Sequence, residues 1–325
     1  MSTYKWQWPA VGHSKVVEFL DKAGRNGKIA QTYIFCGRDD LAKNALAVAF
    51  AKNLQGGRSG FDSDLYILER EAGKKGISIS QAREFIKTLH LSSFLDSYKI
   101  GIIKEADLLS EEAKSALLKT LEEPQDKVII VLLVQDESGL PATILSRSQI
   151  LYFNPVPAAV IYDYLIDNYG TGRTLAKDIA NLALGRPLVA VDWLNNPETY
   201  QKYLEKATFW LRSLPENTHN RLQALDKIFN DRSWSALAVQ SAGEVVDLAE
   251  GLSRDLFLLS LGQPDRIQFS AVVKDLEKVL VHLEHATTNS GLAILAQLKH
   301  IAQAREYLEA NVNPRLVLEQ LIINI

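Results

Sequence analysis

The sequence predicts an α/β fold with a parallel sheet in its first half and an all-helical remainder, and three observations carry that prediction. Short apolar runs alternate with helical patterns up to about residue 154, the order expected of strands joined by crossover helices. The run Val128-Ile-Ile-Val-Leu-Leu-Val134 has no polar alternation, as suits a strand covered on both faces. Beyond Asn154-Pro-Val-Pro157 the strand signal stops and only helical periodicity remains.

Strands are expected at Thr32–Cys36, Asp64–Leu68, Tyr98–Ile103, Val128–Val134 and Ile150–Phe153. The clearest helix between them is Ser110–Glu123. Ser110 is placed to cap it, Glu111 and Glu112 suit its first turn, and Ala113, Ala116, Leu117 and Leu121 form its apolar stripe. Pro124 stops it. A small helical unit covers about 155–198, broken at Gly170 and at Gly185-Arg-Pro187. A helical bundle fills 199–325. It includes Val272–His285 and Gly291–Glu309, and a last helix has Asn313 as cap and Pro314 at its first position. The expected domains are therefore 1–154, 155–198 and 199–325.

Composition narrows the function. With 36 basic and 39 acidic residues the net charge is -3, which argues against a surface basic overall for nucleic acid. The single cysteine, Cys36, rules out an internal disulfide and a cysteine zinc cluster, and reads as a small core residue. The N-terminal stretch has no apolar signal-peptide core and no run is long enough to span a bilayer, so a cytoplasmic protein with no membrane partner is expected.

Gly37-Arg-Asp-Asp-Leu-Ala-Lys43-Asn44 sits between an expected strand and the alanine-rich helix Ala45–Leu54, the setting of a phosphate-binding loop, G-x-x-x-x-G-K-[ST]. Gly37 and Lys43 match. Ala42 replaces the glycine that lets backbone amides approach phosphate, and Asn44 replaces the magnesium-binding hydroxyl. Asp39 and Asp40 put carboxylates where phosphate oxygens would lie, each costing about 4 kcal/mol at roughly 4 Å and an effective dielectric of about 20.

Lys99-Ile-Gly-Ile-Ile-Lys104-Glu105 has the form of a Walker B strand, with Lys104 in place of the magnesium-holding carboxylate and aimed at the metal seat. Glu105 survives, but without a metal it has no task. After Val134 come Gln135, able to hydrogen-bond, and Asp136, unsuited to an anion. Together these changes predict that no nucleotide is hydrolysed and that ATP binding is lost.

Gly12–Leu20, Gln31–Gly37, Ile77–Arg83, Ala116-Leu-Leu-Lys-Thr-Leu-Glu-Glu-Pro124 and Thr143-Ile-Leu-Ser-Arg-Ser148 occur in order, and the chain ends with Asn311–Glu319. Together they resemble the bacterial clamp-loader group of the AAA+ family, and its delta-prime branch in particular. The resemblance implies an α/β AAA+ core of the phosphate-loop type with a parallel sheet, then an all-α lid and an all-α collar that meets sister subunits in a ring. The sliding clamp and primer–template DNA would be partners of that assembly. The four zinc-binding cysteines common in the group are absent here, and Leu188 stands where ATP-binding sisters carry a lid arginine.

The resemblance also places an arginine finger at Arg147, in Ser146-Arg147-Ser148, to act on a neighbour's ATP; the plain alternative is a surface arginine paired with a carboxylate. Lys119 faces away from its helix's apolar stripe and either reaches DNA or is simply solvated. His282 and His285 share a helix face, but no third metal ligand accompanies them. Two readings compete with a non-hydrolysing delta-prime-like subunit. One is an active gamma/tau-like ATPase, supported by Lys43 and Glu105. The other is a free-standing DNA-binding AAA+ protein.

Overall fold

The computed structural model describes the chain except residues 1–5, 10–11, 39–40, 57–63, 72–73, 75, 92–97, 124, 232, 234 and 288. Two compact units form, Met1–Thr171 with Ala183–Ala190, and Gly172–Leu182 with Val191–Ile325.

In the first unit, helix α1 (Ser14–Arg25) precedes strand β1 (Thr32–Cys36) and helix α2 (Lys43–Leu54). Then come β2 (Leu65–Leu68), α3 (Ile79–Leu89), β3 (Lys99–Ile103), α4 (Glu111–Glu122) and β4 (Val128–Val134). A single turn, α5 (Ala142–Leu145), leads into β5 (Gln149–Tyr152), and α6 (Ala158–Tyr169) follows. All sheet pairings are parallel, in the order β2-β3-β4-β1-β5, with β1 between β4 and β5. This is the parallel-sheet α/β core that the sequence led us to expect.

Alternation along the central strands splits the core in two. Ile34, Ile130, Leu132 and Val134 face a cluster with Phe85 and Leu89 of α3, Leu117 and Leu121 of α4, and Ile144 of α5. Tyr33, Phe35, Val131 and Leu133 face the other cluster, with Leu20 of α1 and Leu46 and Phe50 of α2. Burial on both faces is why Val128–Val134 carries no polar alternation.

Local signals set the element ends. Ser110 caps α4 by accepting from Ala113 N at 3.2 Å. Ser78 and Gln81 close a reciprocal capping box on α3. Helix α2 starts two residues earlier than expected, because Ala42 turns left-handed (φ 67°) and lets Lys43 open the helix. The segment 6–9 is tied down by Gln7 N to Asn53 Oδ1 (3.0 Å) and Asn53 Nδ2 to Gln7 O (2.9 Å), with Trp8 stacked on Phe50.

After α7 (Arg173–Leu182) and α8 (Pro187–Asn195), the second unit continues as α9 (Pro197–Ser213), α10 (Thr218–Ile228), α11 (Ala236–Ser260), α12 (Val273–Ala286), α13 (Ser290–Glu309) and α14 (Pro314–Asn324). The long α11 packs on α9, α12, α13 and α14. Asp255 within it is fully buried and accepts from Gln268 N (2.8 Å) and Phe269 N (2.7 Å), which fixes the segment before α12. Burial pushes its carboxyl above the usual range, opposed by those two amides and Arg254. Asn313 caps α14 as expected, accepting from Arg315 N at 3.0 Å. Among the described residues no helix is long and apolar enough to cross a membrane.

Gly101 lets α3 lie close on β3: a methyl group there would stand 2.6 Å from Phe85 Cζ and 2.9 Å from Leu89 Cδ1. Gly101→Ala is therefore expected to lower the unfolding free energy by about 1–3 kcal/mol. Urea unfolding measures this, and an unchanged midpoint would mean that α3 does not sit on β3 this closely.

Candidate functional site

The site begins where β1 ends. Gly37 holds φ 148°, its N donates to Val134 O at 3.1 Å, and a Cβ there would meet Phe153 O at 2.4 Å. Only glycine fits. Lys43, at the first turn of α2, is 1% exposed and turns back into the loop. Its Nζ donates to Gly37 O at 2.5 Å and to Val134 O at 2.6 Å, bridging the ends of the adjacent strands β1 and β4. A phosphate-loop lysine is useful when its ammonium is available to phosphate. This one is bound to its own loop.

The neighbouring positions agree. Ala42 holds the left-handed conformation that glycine adopts freely, at a cost of about 1–2 kcal/mol for a residue with a Cβ. Asn44 stands at the hydroxyl position with its Oδ1 buried and unpartnered. Asp39 and Asp40 lie outside the described residues. His13, also left-handed (φ 53°), packs against Phe153 with ring centroids 4.8 Å apart. Burial lowers its imidazole pKa below the ordinary 6.5, partly offset by a hydrogen bond to the Leu41 backbone.

The second strand corrects two expectations. Lys104 was expected to aim at the metal seat, but its ammonium pairs with Glu69, which follows β2, on the side of β3 away from β4 and β1. Glu105 was expected to be idle. It lies in a left-handed turn (φ 49°) and accepts a fork from Arg70, Nε to Oε2 at 3.0 Å and Nη2 to Oε1 at 2.9 Å. That hydrogen bonding to Glu105 raises the Arg70 pKa. Bidentate geometry makes this the stronger kind of partly exposed ion pair. Nothing in the sequence spacing links position 70 to 105, so the partnership was missed.

After β4, Gln135 is exposed and its carbonyl accepts from Cys36 Sγ at 3.7 Å. Asp136 caps a short turn through Ser138 N (2.7 Å), and hydrogen bonding to Ser138 lowers its pKa. Cys36 is buried, as expected, and burial pushes its thiol up.

Arg147 lies at the opposite end of the strands, in the turn before β5. Tyr33 pairs with Gln149 and Cys36 with Tyr152. The length of β5, about 10 Å at 3.3 Å per residue, therefore separates the Arg147 turn from the level of Gly37. Its Nη1 donates to Thr143 O at 3.0 Å, and its Nη2 lies 3.1 Å from Glu122 Oε1. Arg147 and Glu122 are 39% and 46% exposed, and an ion pair this open is worth about 0–1 kcal/mol. The arginine therefore does have the carboxylate partner of the plain alternative, at a place open to another molecule. Glu122 lies in the quoted Ala116–Pro124 segment. Its signal was that Glu122 and Glu123 end a helix, where acids oppose the macrodipole by about 0.3–1 kcal/mol each.

Lys119 is exposed on α4. Leu188 is 37% exposed on α8. His282 and His285 lie on α12, and among the described residues no group of three or more His, Cys, Asp or Glu gathers that could hold a metal.

The fold and the site define a parallel-sheet α/β module in which a lysine bound to its own loop holds the phosphate-loop position. Residues 12–157 match the family model described as DNA polymerase III, delta subunit. The chain is 25% identical over 333 residues to the DNA polymerase III subunit delta' of Bacillus subtilis, covering 95% of this chain and 94% of that one. It is 28% identical over 247 residues to the delta' subunit of Yersinia pestis, covering 70% of this chain and 69% of that one. To the gamma subunit of Buchnera aphidicola it is 28% identical over 159 residues, covering 44% and 43%. The sequence is thus similar to clamp-loader delta-prime subunits, over nearly the whole of both chains for the Bacillus subtilis protein.

Two outcomes follow from the loop. Lys43→Met removes a buried charge-assisted donor from Gly37 O and Val134 O, and should cost about 1–3 kcal/mol of stability, measured without nucleotide. Equal stability would show that the bridge contributes nothing. His13 has a folded pKa below its unfolded value of 6.5, so its contribution is complete above that pH and fades as pH falls toward the folded value. His13→Asn should flatten the pH dependence of thermal stability between about pH 7 and 5; an unchanged slope would assign that dependence to other groups.

Proposed function

We propose that this chain is the non-hydrolysing member of a clamp-loading ring, a rigid subunit that lends Arg147 to the ATP of a neighbour. The observation that carries the reading is Lys43, buried and bonded to Gly37 O and Val134 O. Binding triphosphate there requires breaking both bonds, with no magnesium-binding hydroxyl at Asn44 and no metal-binding carboxylate at Lys104. Glu105, which would polarise water in an active site, is held by Arg70. The chain thus works without nucleotide, magnesium or zinc of its own.

Support for Arg147 as an arginine finger comes from its place in the Ser-Arg-Ser triplet, its exposure, and its position at the sheet edge away from its own loop. An arginine there suits a phosphate presented from outside the chain, and a finger supplied in trans stabilises charge developing on the transferring phosphoryl group. In this reading the helices of 199–325 form the collar against sister subunits, and the assembly acts on a sliding clamp and primer–template DNA in the cytoplasm. A gamma/tau-like motor would need Lys43 and Glu105 free. A free-standing DNA-binding protein would need a basic surplus that a net charge of -3 does not supply.

The experiment has two arms. Calorimetric titration of the isolated chain with Mg-ATP should show no saturable heat. In the assembly reconstituted with its co-purifying subunits, Arg147→Ala should silence the one site it serves, since a finger is worth about 10³–10⁵-fold in kcat. Micromolar Mg-ATP binding with turnover by the lone chain would overturn the first arm. Undiminished turnover in the Arg147→Ala assembly would overturn the second.

A further inference from the structure

We infer that Glu122 is a positioning residue for Arg147, holding the guanidinium so that it is presented outward from the sheet edge. The inference rests on the finger reading above and assigns that finger its support.

A guanidinium on a flexible stem loses rotamer freedom whenever it must hold one direction, and a finger is effective only if that cost is met before the phosphate arrives. Two restraints act on Arg147 from different elements. Nη1 is held by Thr143 O (3.0 Å) and, at 3.5 Å, by Ser146 Oγ, both within its own turn. Nη2 is held by Glu122 Oε1 (3.1 Å) from the last turn of α4. One restraint alone leaves the side chain free to swing about its own turn; the second removes that freedom. Among the described residues Arg147 Nε donates to no partner, which leaves one edge of the guanidinium for an incoming anion.

The base of the carboxylate is itself fixed. Leu117 and Leu121 of α4 and Ile144 of α5 belong to one buried cluster, so α4, which ends on Glu122, and α5, which leads into the Arg147 turn, are packed on a common core. Stability does not account for Glu122. It stands against the helix dipole at a C-terminus, and its ion pair is exposed on both sides. At that helix end the carboxylate faces the arginine, and its effect falls on the direction of the arginine rather than on stability.

The test uses the assembly reconstituted from this chain and its co-purifying subunits, with kcat and KM for ATP measured for Glu122→Ala, Glu122→Gln, Arg147→Ala and the Glu122→Ala/Arg147→Ala double variant. Glu122→Ala should lower kcat at the served site by about twofold to fivefold, the limit set by so open an ion pair, leave KM for ATP unchanged, and leave the thermal midpoint of the chain unmoved. Glu122→Gln keeps an acceptor at the same place and should restore most of kcat. The double variant should be no slower than Arg147→Ala, because Glu122 acts only through Arg147. If Arg147→Ala slows turnover and Glu122→Ala does not, the positioning role falls and the finger stands. If neither slows it, the finger reading fails as well. Faster turnover in Glu122→Ala, or losses that add in the double variant, would also overturn the inference.

Discussion

A buried ammonium is tolerated only where acceptors replace the water it has lost, and Lys43 meets that condition by taking the carbonyls of Gly37 and Val134. The bridge ties the ends of β1 and β4, which are neighbours at the centre of the sheet, and it draws the start of α2 onto them. The geometry around the loop follows from this. Gly37 must be glycine to pass Phe153, and Ala42 accepts a left-handed backbone so that Lys43 can turn inward. The lysine at the phosphate-loop position thus helps hold the sheet together.

The same logic applies at β3. Lys104 and Glu105, which would lie at the heart of an active site, are joined to Glu69 and Arg70 of the chain following β2. Each charge has found a partner close by, so the region is electrostatically settled by itself.

Parallel topology separates the loop of Lys43 from the turn of Arg147. All strands of the sheet point one way, so the loop after β1 and the turn before β5 lie at opposite ends of these neighbouring strands. The Arg147 turn is thereby set apart from the chain's own loop, and α4, which ends on Glu122, and α5, which precedes that turn, share a single core cluster. The second unit is built on a different principle. The α11 helix is its centre, and one buried carboxylate, Asp255, organises the segment before α12.

Much of this was legible in the chain itself. Strands Thr32–Cys36 and Val128–Val134 matched to the residue, because a continuous β-branched and apolar run has few other solutions. Capping by Ser110 and Asn313 was readable because a cap is a local bond between residues three apart or fewer. The identity of the phosphate-loop setting, and its missing glycine and hydroxyl, were equally local. Tertiary structure alone decided where the charges go. Arg70 with Glu105, Lys104 with Glu69, and Arg147 with Glu122 are partners 35, 35 and 25 positions apart, brought together by strand order and helix packing. Spacing along a chain records periodicity and caps, but the direction of a long flexible side chain depends on which acceptor the fold brings within about 3 Å.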